Sequence, residues 1–212
     1  MKIEKRLGRP VADPLRNLRA DLLRTSRELL DEKGPAALSM REVARRTGCT
    51  HQAPYHYFAD REAILAALVT DGFNELALDL RAANQLIAQN SKRDVLVASG
   101  DAYISFAQRN QGVFRIMFSP DICNPERFPE IQQAGQSAKY ELKRLAEIVS
   151  GKSVGADALE TTLWAHVHGL ASLLVDGRFA ESFATESEKD AHLKAVSKTF
   201  ADMVLSNLPP SK

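Results

Sequence analysis

Cysteine is nearly absent: Cys49 and Cys123 are the two among 212 residues. Two cysteines make no disulfide framework, and neither sits at a metal-ligand spacing, so reduced thiols and no metal or cofactor are expected. No apolar run approaches the ~18 residues that signal a membrane span. The basic start Met1 to Arg6 leads into Gly-Arg-Pro and not into an apolar stretch. No secretory signal is therefore expected, and the expected place is the cytoplasm. Strict apolar–polar alternation is missing throughout, which argues against strands. There is no nucleophile–base pair, glycine-rich phosphate loop or Cys/His ligand set, and catalysis is not expected. The strongest support for an all-α enzyme, the pair His166 and His168 beside Trp164, is thin. Two residues apart on a helix, these histidines point in different directions and make a poor metal pair.

What is present is an ordinary globular composition, 44% apolar and 26% charged, with a net charge of +1. That small total hides an asymmetry. Residues 1–68 hold 13 Lys/Arg against 9 Asp/Glu, and the remainder holds 15 against 18. The excess of positive charge at the N-terminal end points toward an anionic partner there.

Almost every segment repeats at a period near 3.6, so the fold class is all-α, with about nine helices. Asp13-Pro14 reads as the cap and first residue of a helix whose apolar face is Leu15, Leu18, Leu22, Leu29 and Leu30, closed by Gly34-Pro35. Ser39-Met-Arg-Glu42 reads as a capping box opening a short second helix, Met40 to Arg46, closed by Gly48. Thr50 is expected to cap a third helix reaching Tyr57, and Asp60 a fourth running through Ile64, Leu65, Leu68, Phe73, Leu76 and Leu80. Further helices are predicted over 93–109, 112–118, 129–150, 156–176 and 187–207.

The second and third of these helices, joined by Thr47-Gly48-Cys49, form a helix-turn-helix. Gly48 supplies the left-handed turn, and Val43 and Ala44 pack inward. His51, Gln52, Ala53 and Tyr55 are left at the outer N-terminal end of the third helix, the end that enters the major groove in such motifs. Pro54 in that helix is a puzzle. Counted from Thr50 it is the fourth residue, the first place where a missing N–H loses a hydrogen bond. The cost at a helix end is small, and Pro54 is expected to act as a packing residue in a tightened first turn.

The stretch "LLRTSRELLDEKGPAALSMREVARRTGCTHQAPYHYFADREAILAAL" resembles the DNA-binding domain of the tetracycline-repressor (TetR) family. "AYISFAQRNQGVFRIMF" and "WAHVHG" resemble the WHG-type C-terminal domain of one branch, with Asn110-Gln111-Gly112 standing where that branch carries His-Pro. The resemblance implies a basic arm at 1–12, a helix-turn-helix DNA-binding domain at 13–59 and a helical effector-binding and dimerisation domain at 60–212.

By reach and by family position, Arg41, His51 and Gln52 are expected at base edges. Thr50, Tyr55 and Tyr57 are expected at phosphates, with Arg61 as a cation beside the backbone. Ala53 belongs to the same surface, His56 either to it or to the plain solvated face, and Arg9 to an arm that either lies in an adjoining minor groove or is a disordered tail. Arg45 and Arg46 read as a solvated face.

In the C-terminal part, Tyr103, Phe106, Phe114, Met117, Phe118, Trp164 and His168 are the candidates for the walls of an effector cavity. The implied function is a DNA-binding transcriptional regulator, a homodimer through its last two long helices. It would be a repressor released from a palindromic operator of double-stranded DNA by a small apolar effector. The alternative is a helix-turn-helix regulator controlled by a protein partner or by cysteine oxidation, with no small ligand.

Overall fold

A computed structural model describes residues 17–119, 122, 124, 126–151, 156–179 and 182–208. The basic arm with Arg9, the pair Asp13-Pro14, Leu15 and Cys123 lie outside the described residues. Among those described, every regular element is helical, and no helix is long and apolar enough to cross a membrane.

The chain runs α1 (Leu18–Lys33), α2 (Met40–Thr47), α3 (Arg61–Gln85), α4 (Lys92–Arg109), α5 (Gln111–Met117), α6 (Pro129–Ser150), α7 (Ala156–Val175) and α8 (Glu186–Ser206). Three 3-10 turns, Pro35–Ala37, Ala53–His56 and Leu86–Ala88, complete the described elements. Among the described residues there are eight α-helices where nine are expected from sequence, because the third expected helix is the 3-10 turn Ala53–His56.

Most boundaries follow from local chemistry. Gly34 (φ 72°) and Gly48 (φ 71°) end α1 and α2 in backbone conformations that disfavour a side chain. The Gly48 N–H closes α2 on the carbonyls of Ala44 and Arg45. Asp60 caps α3 by accepting from the Ala63 N–H at 3.0 Å. Ser91 and Asp94 form a reciprocal capping box on α4.

Two expected caps are corrected. The cap of α1 is Asn17, whose carboxamide accepts from Ala20 at 3.2 Å, so the helix begins later than Asp13-Pro14 suggests. At α2, Ser39 accepts from the Glu42 N–H at 3.2 Å, but Glu42 does not complete the box. Its carboxylate is taken by Arg45, at 2.7 and 2.8 Å, and by Arg46 at 3.1 Å.

α3 is the spine. Its first turns share a core with α1 and α2 through Leu22, Leu29, Leu30, Val43, Phe58, Ile64 and Leu65. Its later turns pack mainly on α6 and α4, and α7 and α8 close the far side against α4 and α6. The same apolar cluster continues from Leu22 to Leu193, and a second, smaller cluster of Val95, Leu96, Leu145, Ala146, Val149, Leu163 and Ala201 joins α4, α6, α7 and α8.

Candidate functional site

The short α2 is seated by its buried residues Met40, Val43 and Ala44. That seating leaves Arg41 exposed at its start. After Gly48 the chain makes a Thr50–Ala53 turn, with the Ala53 N–H on the Thr50 carbonyl at 3.0 Å. The 3-10 turn Ala53–His56 follows, capped by Gln52 without a side-chain bond.

The expectation of a Thr50-capped α-helix is thus overturned, and Pro54 is the physical reason. An α-helix here would need a residue-54 N–H to reach the Thr50 carbonyl, and proline has none. The carbonyl instead takes the Ala53 N–H, in the tighter register. Pro54 sits at the second position of the turn, where no N–H is missed. It is buried, as expected of a packing residue.

Pro54 and Phe58 form the floor of this segment. The Arg19 guanidinium covers the Phe58 ring at 5.4 Å. With the floor fixed, Thr50, His51, Gln52, Tyr55, His56 and Tyr57 all face outward and Ala53 is half-buried. Tyr55 and Tyr57 are 53% and 47% exposed, high values for rings of that size. Together with Arg41 they make one polar, aromatic surface.

The surrounding cations sort into two groups. Arg45 is held bidentately by Glu42, and Arg46 reaches Glu32 at 2.8 Å as well as Glu42. The two guanidinium groups hold the Glu42 carboxyl down to about 2. Arg61 also departs from its expected place: it turns inward, donating to the carbonyls of Leu38 at 2.8 Å and Pro35 at 2.6 Å. Its guanidinium satisfies the backbone of the α1–α2 connection and braces α3 against it. Among the described residues Arg41 makes no ion pair, so it is the cation of this surface that no carboxylate neutralises.

Further along α3, Phe73 and Leu76 enter a cavity of about 230 Å³. Tyr103 of α4, Phe118 after α5, Gly135, Ala138, Lys139 and Leu142 of α6, and Glu160 and Trp164 of α7 complete its lining. A second cavity of about 550 Å³ adjoins it and is lined by Val69, Phe73, Met117, Phe118 and Ile131 among others. The Phe73 and Phe118 rings meet edge to face at 5.5 Å between the two.

Of the seven expected wall residues, Tyr103, Phe118 and Trp164 line the first cavity and Met117 the second. Phe114 and His168 stand behind them, in ring contact with Phe118 at 5.5 and 4.5 Å. Phe106 is fully buried core. The Tyr103 hydroxyl bonds His168 Nδ1 at 2.9 Å, and burial pushes that hydroxyl up. His166 stacks on Phe200 at 3.6 Å, so both histidines beside Trp164 are engaged in packing. Among the described residues no group of three His, Cys, Asp or Glu could hold a metal ion.

Two features escaped sequence reasoning. Glu160 is a cavity residue, and a lone acid on a helix carries no signal of that. Arg127 is a clamp, donating to Asp60 and Glu62 at 2.5 Å each and so binding the α5–α6 connection to the start of α3. Only the pairing of distant segments reveals it.

Comparison with known proteins bears on both regions. Residues 22–68 match the model described as bacterial regulatory proteins, tetR family, and residues 96–196 that described as tetracyclin repressor-like, C-terminal domain. An HTH-type transcriptional regulator of Haemophilus influenzae is 30% identical over 130 residues, 59% of each chain. The HTH-type transcriptional regulator Rv1816 of Mycobacterium tuberculosis is 26% identical over 110 residues, 52% of this chain and 47% of that protein. The chain therefore spans about half the length of the curated relatives it matches. The crystal structure of a tetR-family regulatory protein from Rhodococcus RHA1 superposes with a TM-score of 0.68, at 18% identity over 93% of this chain and all of that one.

Proposed function

The chain belongs to the tetR family of bacterial regulatory proteins, and we propose that it acts as a sequence-specific DNA-binding transcriptional regulator. One observation carries this reading: the outward row Arg41, Thr50, His51, Gln52, Tyr55, His56 and Tyr57 on a helix-turn-helix whose inner face is buried. In this reading Arg41 offers a forked donor to a guanine edge, and Gln52 matches adenine. His51 stands beside them. The hydroxyls of Thr50, Tyr55 and Tyr57 donate to phosphates. Arg61 positions the motif from behind.

A single short motif reads few base pairs, and doubling by symmetry supplies selectivity. The exposed row Thr162, Ala165, Gly169 and Leu173 on α7, with Met203 on α8, supports a homodimer through these two helices. Small residues there allow close helix approach. The cavities along α3 support release from a palindromic operator by a small apolar effector, so that the regulator is a repressor. Such an effector shifts DNA affinity only by preferring one of two arrangements of α3.

Selection of duplexes from a random pool tests the reading. Enrichment of a two-fold symmetric site is expected, bound with an affinity that falls steeply with salt as phosphates are neutralised. A pool that stays random, or binding insensitive to salt, would overturn it.

A further inference from the structure

The short helix α2 carries three arginines, and one carboxylate divides them. Arg41 and Arg45 stand one turn apart and both are exposed, so they share a face of the helix. Arg41 has no carboxylate partner among the described residues. Arg45, whose side chain is 66% exposed, gives Glu42 its Nε at 2.8 Å and a terminal nitrogen at 2.7 Å. Arg46 gives Glu42 its Nε at 3.1 Å and reaches Glu32 of α1 at 2.8 Å. Two acids thus match two arginines, and the later half of α2 presents no net charge.

The Glu42 carboxylate does not complete the cap of α2, so its partners are these guanidinium groups. They hold its carboxyl down to about 2, and it stays charged through the neutral range. In a helix-turn-helix the first helix crosses the DNA backbone. An exposed guanidinium one turn beyond a base-reading arginine is then within reach of phosphates. A phosphate takes the same pair of donors that a carboxylate takes, and Glu42 already holds both. Exchange of Glu42 for a phosphate replaces one such pair with another and strands a carboxylate beside the DNA. It gains little.

We propose that Glu42 withholds Arg45 from the DNA backbone and so limits the sequence-independent grip of the helix-turn-helix, leaving Arg41 as the cation of α2 that meets DNA. This rests on the reading of the surface as a DNA-binding site. Arg46 has Glu32 as a second anchor, so loss of the Glu42 charge frees Arg45 and not its neighbour.

Each phosphate neutralised adds about 0.9 to the slope of log affinity against log salt concentration. The intact wild-type chain, Arg45→Ala, Glu42→Gln and the double variant are titrated with one mixed-sequence duplex between about 50 and about 200 mM salt. Arg45→Ala should leave the slope unchanged, because its guanidinium is already taken. Glu42→Gln should bind more tightly at the lowest salt and steepen the slope by about 0.9 for each helix-turn-helix bound. The double variant has the wild-type net charge and should return to the wild-type slope. A flatter slope in Arg45→Ala would mean that Arg45 already meets a phosphate, which overturns the proposal. So does an unchanged slope in Glu42→Gln, or a steeper one that persists in the double variant. In each of these cases the DNA-binding reading stands. Should Glu42→Gln fail to fold, Arg45→Ala still decides, since an exposed side chain is lost and α2 stays seated on Met40, Val43 and Ala44. A wild-type chain that binds no duplex removes the DNA-binding reading, and the proposal with it.

Discussion

The Arg127 guanidinium donates at 2.5 Å to Asp60, the residue whose other carboxylate oxygen caps α3. The two lie 67 residues apart in sequence. Arg127 also reaches Glu62, which accepts from the Asn124 N–H at 3.0 Å. The connection that borders the larger cavity is thus fastened to the helix end beside the proposed DNA surface.

The cap and the ion pair at Asp60 differ in weight. Loss of a helix cap costs about 1 kcal/mol, whereas an exposed ion pair contributes about 0–1 kcal/mol. Asp60→Ala should therefore lower thermal stability more than Arg127→Ala. The Arg127 guanidinium and the Ala63 amide hold the Asp60 carboxyl below the usual carboxylate range. The contribution of the pair is present at neutral pH and is lost as pH falls below about 4. Melting curves of both variants check the order; a larger loss for Arg127→Ala would contradict it.

Gly112 opens α5 directly against α1. A Cβ there would lie 2.6 Å from the Leu30 carbonyl carbon and 2.7 Å from the Asp31 nitrogen, backbone atoms with little freedom to move. The glycine N–H also donates to the Asp31 carboxylate at 2.7 Å. Beside it, the buried Asn110 bonds Arg27, and it bonds Glu75 at 2.9 Å. Gly112→Ala should destabilise by about 1–3 kcal/mol through overpacking. Chemical denaturation measures this, and an unchanged midpoint would show that α5 yields freely.

Pro54→Leu gives a correction in sign. Counted as the fourth residue of an α-helix, proline loses a bond that leucine would restore, and stability should rise. In the 3-10 turn no bond is missing, so the remaining effect is proline's stiffening of the unfolded chain. The variant should be less stable by about 0.4–1 kcal/mol. A stability increase would mean that the segment reverts to an α-helix without proline.

Burial lowers the affinity of His166 and His168 for a proton. The unfolded chain then binds more protons below about pH 6.5, so stability is complete above that pH and declines as pH falls through the folded-state values. A protonated His168 carries an N–H on both ring nitrogens, so its bond with the Tyr103 hydroxyl would then have Nδ1 as the donor. Melting temperature should drop between about pH 7.5 and about pH 5.5, and less so in His168→Gln. An equal slope in that variant would assign the effect elsewhere.

Helix ends were legible wherever one residue's chemistry determines them, as at Gly34, Gly48 and Asp60. The polar face of the helix-turn-helix was legible because Val43, Ala44 and Pro54 define the opposite, buried side. The register of the turn after Gly48 was not, since α and 3-10 hydrogen bonding differ by one residue and the same apolar pattern suits both. Arg61 and Arg127 share one cause: an arginine in sequence gives no sign whether a carbonyl, a carboxylate or a phosphate will take its donors. Phe106 and Phe114 match a wall residue in type and spacing, and only three-dimensional packing assigns them to the core.

The most direct test of a base-reading helix-turn-helix is the affinity of wild type, Arg41→Ala and Gln52→Ala, at one salt concentration. Each would be measured on the selected duplex, its single-base variants and random DNA. Each substitution should cost about 1–3 kcal/mol of discrimination at its own base pair and leave random DNA nearly unaffected. Equal weakening on selected and random DNA would contradict the account, reducing Arg41 and Gln52 to general contacts on a surface that reads no sequence.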